Sequence, residues 1–165
     1  MAKIASTVTY QLVQILSGPS GVAPSIAEFA LEAGLKEPPF SAAHIIPRNA
    51  SFEVSERSTG AVYPAIQVYC EKVVNTLREK FRIFSGTARV TIEIRASQDR
   101  IENLEQRLEV YTDAVTAVLD CNRGDWGLGI YFTGGYEITT APVKHGGRNF
   151  LQVAKVSFDV LVSRD

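Results

Sequence analysis

Asn149-Phe-Leu-Gln-Val-Ala-Lys-Val-Ser-Phe-Asp-Val-Leu-Val-Ser163 alternates apolar and polar residues along most of its length. A β-strand points successive side chains to opposite faces of a sheet, so this alternation predicts a long strand with one apolar and one polar face. The stretch from Leu128 to Thr139 predicts its partner strand, and Gly134-Gly135 predicts a bend or a bulge within that partner. Together they predict a long C-terminal β-hairpin.

The connection between these strands, residues 140–149, is long, basic and rich in glycine. Hairpin loops are commonly ~2–5 residues, and longer structureless loops in compact domains are usually functional or disordered. We therefore expect an arm that contacts a partner, and its candidate contact residues are Val143, Lys144, His145 and Arg148. Nucleic-acid binding is an alternative, although three cations are few beside the ~6–10 phosphate contacts of many DNA-binding proteins.

A second clear strand, Arg89 to Ala96, is followed by a long amphipathic helix over residues 99–120. Asp99 with Glu102 three residues later is typical of a helix N-terminus. The helix has an apolar stripe at spacings of three and four, which predicts packing across the sheet. The stripe consists of Ile101, Leu104, Leu108, Tyr111, Val115 and Val118/Leu119.

The remaining segments complete a single domain over residues 1–165. Residues 1–35 predict two helices, one over 4–17 and one from Ser25, where Ser25 and Glu28 form a capping-box pattern. Residues 36–60 contain several prolines, which favour a loop or an arm. Residues 61–165 predict the sheet, with further strands at Tyr63 to Cys70 and Phe81 to Phe84. The fold class is α/β (α+β), with a mixed, mainly antiparallel sheet flanked by helices.

Charge is unevenly distributed, although the formal net charge of the chain is only −1. Residues 60–98 hold six basic and three acidic residues, and residues 99–124 hold three basic and six acidic residues. Adjacent segments of opposite sign suit self-association, in which a basic face of one copy meets an acidic face of the next. Two solvated faces without a partner are the alternative. The candidate inter-subunit charges are Arg82, Arg89 and Arg95 against Glu102, Glu105 and Glu109.

Residue types that perform chemistry are scarce in this sequence. His44 lies beside Ile45-Ile46, so we expect it in the core or at its boundary. We expect His145, in the basic connection, to be a contact residue. Neither has a metal-ligand spacing. We expect Cys70 and Cys121 to be reduced thiols in the core, with a disulfide between them as the alternative. We expect no catalytic residue, metal or cofactor.

The start of the chain lacks an uninterrupted apolar signal core, so we expect a mature, cytosolic protein. No window approaches the ~18 apolar residues of a membrane span, so we expect no membrane partner.

The order of these parts resembles that of tail terminator (tail completion, neck) proteins of tailed bacteriophages over roughly residues 60–163. The resemblance lies in a Tyr-Pro-Ala-Ile66 strand, the Phe-Ser-Gly-Thr87 turn, the long helix, and the Gly-Gly-Tyr-Glu137 strand paired with the last strand. It implies a homohexameric ring in the virion tail or neck, assembled in the host cytoplasm. Such a ring caps the tail tube, ends its polymerisation and joins the tail to the head connector. DNA passes through its channel without sequence-specific binding.

Three other functions are kept as hypotheses. The first is another neck protein of the head-completion or stopper type, and the second is a tail tube subunit. Both share the ring geometry. The third, more remote, is a small enzyme that uses Cys70 or Cys121 with a histidine as its nucleophile pair.

Overall fold

The computed structural model of the chain describes residues 3–36, 40–51 and 62–165. Within these residues lie three α-helices, a 3₁₀ turn at Ala42–His44 and one eight-stranded sheet. The helices are α1 (Ile4–Ser17), α2 (Val22–Glu32) and α3 (Leu104–Cys121). The strands are β1 (Ile45–Ile46), β2 (Ala65–Asn75), β3 (Phe84–Gln98), β4 (Gly124–Gly127), β5 (Ile130–Phe132), β6 (Glu137–Thr140), β7 (Lys144–Gly146) and β8 (Asn149–Arg164).

The sheet has the order β1-β2-β3-β8-β5-β4, and β6 and β7 also pair with β8. Only the pairing of β1 with β2 is parallel among the described strands. The centre of the sheet is the β3–β8 ladder, which runs without a register shift from Phe84 opposite Arg164 to Gln98 opposite Phe150. This architecture confirms the predicted α+β class with a mixed, mainly antiparallel sheet.

One face of the sheet forms the hydrophobic core with the helices. Its strand residues include Val90, Ile92 and Ile94 of β3, together with Val156 and Phe158 of β8. Burial of such side chains contributes ~1.5–3 kcal/mol each before conformational entropy is subtracted. Helix α1 packs on β2, α3 packs on β3 and β8, and α2 packs against α3. The predicted stripe of α3 is buried from Leu104 to Leu119.

Two predicted helix starts are wrong. Helix α2 begins at Val22, so Ser25 and Glu28 lie inside it and form no capping box. Helix α3 begins at Leu104 rather than at residue 99, because β3 continues to Gln98 and the chain then needs a turn to reverse. Asn103 completes that turn in the left-handed conformation, with φ of 63°, which asparagine adopts more readily than most residues. Ile101 consequently lies outside the helix and is exposed.

Between β2 and β3 the structure differs from the predicted strands. Strand β2 continues past Cys70 to Asn75, and the Phe81–Phe84 strand is wrong because β3 begins only at Phe84. Since Asn75 pairs with Gly86, the chain reverses within residues 76–83. The predicted loop or arm over 36–60 contains the 3₁₀ turn and β1, and its residues 37–39 and 52–60 lie outside the described part.

The C-terminal hairpin is present, but its first strand is divided. Strands β5, β6 and β7 pair in turn with Leu161–Val162, Ala154–Ser157 and Asn149–Leu151 of β8. The predicted bend lies between β5 and β6, where Gly134 has a φ of 104°. The predicted long arm over 140–149 is wrong, because Lys144–Gly146 is a strand and the reversal needs only Gly147-Arg148. Gly147 has a positive φ, as two-residue hairpin turns require.

Candidate functional site

The tip of the C-terminal hairpin presents a basic surface, which we call the hairpin turn (residues 144–148). Lys144, His145 and Arg148 are exposed, whereas Val143 is half-buried against the core. The ring of His145 contacts that of Phe150 edge-on, with their centroids 5.2 Å apart. Below the turn, the backbone N–H of Ala141 donates to the carbonyl of Val153. Three of the four predicted contact residues therefore lie at the surface of an anchored turn.

The predicted basic interface residues differ in their availability. Arg82 is exposed and pairs with Glu79 and Asp165. Arg89 is half-buried and pairs with Glu137, while its Nη1 lies 3.6 Å from the Asp159 carboxylate. Arg95 is only 3% exposed, so the expectation that it is a surface charge is wrong for the chain on its own.

Arg95 belongs to a buried polar group on the sheet face opposite the helices. Its Nη2 lies 2.9 Å from Oε2 of Glu93 and also donates to the carbonyl of Ala50. Nζ of Lys155 lies 3.9 Å from Oε1 of Glu93. Nearby, burial and the Glu93 carboxylate raise the pKa of Tyr69 to about 12. The polar face predicted from the alternation therefore exists, but its centre is not accessible to a partner.

The predicted acidic residues Glu102, Glu105 and Glu109 are exposed, but Glu102 lies in the turn before α3 rather than in the helix. Glu105 and Glu109 border the clefts beside α3. Two clefts, which we call the acidic clefts, have volumes of about 220 and 380 Å³. They share Glu109 and Asp113, and neither is lined by lysine or arginine. The smaller is lined by Glu105, Leu108, Glu109, Thr112, Asp113, Ile138 and Thr140. The larger is lined by Phe29, Glu32, Ala33, Gln106, Glu109, Val110 and Asp113.

Residues 76–83, which we call the apolar tip, form a surface that the sequence reasoning missed. Leu77 and Ile83 are more than half exposed, and Phe81 is 99% exposed. Contiguous exposed apolar surface of this kind often marks an interaction site. The pattern that could have predicted this surface is three large apolar residues within a basic stretch that follows the end of a strand.

The apolar tip is nevertheless held by many hydrogen bonds at its base. Oδ1 of Asn75 accepts from the backbone N–H groups of Leu77 and Ser85, and its Nδ2 donates to the carbonyl of Ile83. The backbone N–H of Ile83 donates to the carbonyl of Arg164. Leu77 has a φ of 48°, a left-handed conformation that costs a non-glycine residue ~1–2 kcal/mol. These bonds hold the backbone at the base of the tip in place, while its apolar side chains lie in solvent.

The cysteines and histidines do not form a recognisable reactive site. Both cysteines are free; Cys121 is exposed, contrary to the expected core position. Cys70 borders a cavity of about 460 Å³ that no histidine lines, and burial raises the pKa of its thiol. His44 is buried, with Nδ1 2.8 Å from the carbonyl of Pro64, which confirms its predicted core position.

Across the described ranges, no group of three histidine, cysteine or acidic residues is placed to hold a metal ion. In the same ranges, no helix combines the length and apolar character needed to cross a membrane.

Neither comparison with known proteins identifies a relative. No protein-family model matches the chain, and no curated protein matches it.

Proposed function

We propose that the chain is a structural virion protein that forms a ring, caps the phage tail tube, ends tube polymerisation and joins the tail to the head connector. Six copies are expected from the resemblance. Tail tube protein and a connector or stopper protein are the expected partners, and DNA passes through the ring. The protein acts through shape and surface charge.

The observation that carries this proposal is the contrast between the two ends of the β3–β8 ladder. One end has the basic hairpin turn, and the other has the apolar tip, which contacts the end of β8. Strand β3 has 15 residues, and at ~3.3 Å per residue the two ends lie roughly 46 Å apart. A ring component needs one surface for its stacked partner and a different one for its neighbours in the ring, and both ends here are anchored by backbone hydrogen bonds.

The test is the double variant Lys144→Glu/Arg148→Glu, studied by electron microscopy with the tail tube protein of the same phage. Both side chains are exposed, so we expect an intact fold but loss of capping and uncontrolled tube growth. The control is Lys3→Glu/Lys36→Glu, which makes the same change of charge at exposed positions elsewhere. Tubes of normal length that still join heads in the hairpin variant would contradict the proposed role of the turn. A wild-type chain that never binds tube ends would contradict the function itself.

The same experiment separates the alternatives. A tube subunit polymerises into long tubes by itself, whereas a terminator stops at a ring. A stopper-type neck protein binds the connector but leaves tube growth unchanged. The cysteine-dependent enzyme predicts an activity that thiol alkylation abolishes; the raised pKa of the Cys70 thiol disfavours the reactive thiolate at that position.

A further inference from the structure

We propose that the apolar tip of one copy docks into the acidic clefts of a second copy, so that copies join head to tail. This inference rests on the proposed ring and assigns the surfaces that would build it. Its evidence is the ordered exposure of the tip, the size and charge of the clefts, and the separation of the two surfaces within one chain.

The apolar tip has the features of a preorganised binding element. Phe81 exposes almost its whole side chain, and Leu77 and Ile83 flank it in sequence. Exposing three such side chains to water gives up burial free energy, while the hydrogen bonds of Asn75 hold the backbone that carries them. A backbone that is already ordered loses less conformational entropy on binding, which favours association.

The smaller acidic cleft suits a protein side chain better than a small-molecule ligand, whereas the larger, of about 380 Å³, lies at the lower end of the range of ligand pockets, ~300–1,000 Å³. The smaller cleft, of about 220 Å³, lies below the ~300–1,000 Å³ of typical ligand pockets. Its lining includes the half-exposed side chain of Ile138 and the buried side chain of Leu108, which offer apolar contacts to an inserted ring. Strand β6, which carries Ile138, pairs with β8 and with no other strand in the described part of the chain, and all four of its residues are exposed.

The charges of the two surfaces are complementary. Arg78 and Lys80 of the apolar tip take part in none of the ion pairs found in the described part of the chain. The same holds for Glu105, Glu109 and Asp113, which border the clefts. Opposite potentials across an interface accelerate encounter and select the correct register. A second copy of this chain therefore supplies the partner that each surface lacks.

The two surfaces of one chain are too far apart to meet each other. Ile138 lies opposite Val156 of β8, whereas Ile83 bonds to Arg164, eight residues further along that strand. At ~3.3 Å per residue this separation is roughly 26 Å. An interface between two different surfaces is heterologous, and it generates a closed ring when the rotation between copies closes.

Charge reversal tests the interface in solution. The tip variant is Arg78→Glu/Lys80→Glu, and the cleft variant is Glu105→Lys/Glu109→Lys. Each variant carries like charges on both surfaces, so we expect self-association to weaken at least about tenfold in analytical ultracentrifugation at low salt. In an equimolar mixture, each tip meets a cleft of opposite charge. We therefore expect mixed assemblies with equal numbers of the two variants, detectable by native mass spectrometry.

A third variant, Phe81→Ser, removes the apolar contact without changing charge, and we expect it to weaken association as well. All these residues are exposed, and circular dichroism with thermal unfolding checks that the fold is retained. The control is Lys3→Glu/Lys36→Glu, at exposed positions outside the apolar tip and the acidic clefts, for which we expect normal self-association. Wild-type protein that stays monomeric at high concentration, or reversed variants that assemble normally or do not recover on mixing, would overturn the proposal. If the two charge-reversed variants assemble only when they are mixed, but wild-type rings do not cap tubes, the interface is supported and the proposed function is refuted.

Discussion

Replacing the buried Glu93–Arg95 pair provides the most quantitative test of the sheet's polar face. The Arg95 side chain is 4% exposed and that of Glu93 is 11% exposed. Removing one member of a buried pair typically costs ~3–5 kcal/mol because the other charge stays buried without compensation, whereas replacing both members by apolar residues is often neutral. The suitable changes are therefore Glu93→Met, Arg95→Met and the double substitution.

The surroundings of the pair make the two single substitutions unequal. When Arg95 is replaced, Glu93 keeps Lys155 at 3.9 Å, so we expect a loss of ~2–4 kcal/mol in the free energy of unfolding. When Glu93 is replaced, the guanidinium of Arg95 loses the Glu93 carboxylate, and we expect a loss of ~3–5 kcal/mol in the free energy of unfolding. The double variant should lie within about 1 kcal/mol of wild type, since both buried charges are removed together and the Lys155 side chain, 45% exposed, stays hydrated.

The measurement is urea unfolding followed by the fluorescence of Trp126, the only tryptophan of the chain. It should be made at a protein concentration at which every variant is monomeric, so that association does not contribute. The expected coupling energy is about 4 kcal/mol or more, far above the error of a double-mutant cycle. Additive losses, with a double variant as unstable as the sum of the single ones, would refute the description of Glu93 and Arg95 as a mutually dependent pair.

Three further predictions concern the apolar tip, the core and the alkaline stability of the chain. Asn75→Ala removes three hydrogen bonds from the base of the tip, and we expect it to lower the free energy of unfolding, measured in urea, by ~1–3 kcal/mol. Asn75→Asp keeps the accepting oxygen and should lower it less, so equal losses for the two variants would contradict this. Phe158→Ala removes one ring of an aromatic cluster with Trp126 and Phe132, so we expect the free energy of unfolding to fall by ~3–5 kcal/mol and the emission of Trp126 to change. A decrease as small as that of a surface substitution would be inconsistent with the cluster. The pKa of Tyr69 is about 12 in the folded state and 10.0 without perturbation, so the unfolded state loses this proton first and stability should fall as pH rises from about 10 to 12. Tyr69→Phe should reduce that slope, and an unchanged slope in denaturant unfolding at several pH values would argue against the assignment.

The elements best predicted from sequence are those in which one face is buried and the pattern is unbroken. Helix α1 has the predicted bounds, and β8 has the predicted alternation, because both lie against the same core. The boundaries of α2 and α3 were missed since capping-like residues occur inside or before a helix as readily as at its start. Only tertiary structure shows that β3 continues to Gln98 and delays α3 until Leu104.

The surfaces were harder to predict than the elements. Lys144 and Arg148 were expected to be exposed on a long arm, and they are exposed on the short hairpin turn found in its place. Arg95 has the same alternating context as Arg89 and is nevertheless buried. Arg95 differs in that it donates a hydrogen bond to the carbonyl of Ala50, a residue distant in sequence. The apolar tip was missed for a related reason, since isolated apolar residues near a strand read as sheet core until the pairing partner is known.

The two edges of β8 are paired differently, and this difference has a practical consequence for engineering. Strand β3 alone sets the register of β8 along its full length, while three short strands occupy the other edge in succession. A peptide spliced into the gap between β5 and β6 would leave that register unchanged. Gly135 suits the splice, because a side chain added there would meet no atom within 4 Å. An epitope at this site would report the position of each copy in an assembled particle while both proposed contact surfaces keep their native residues.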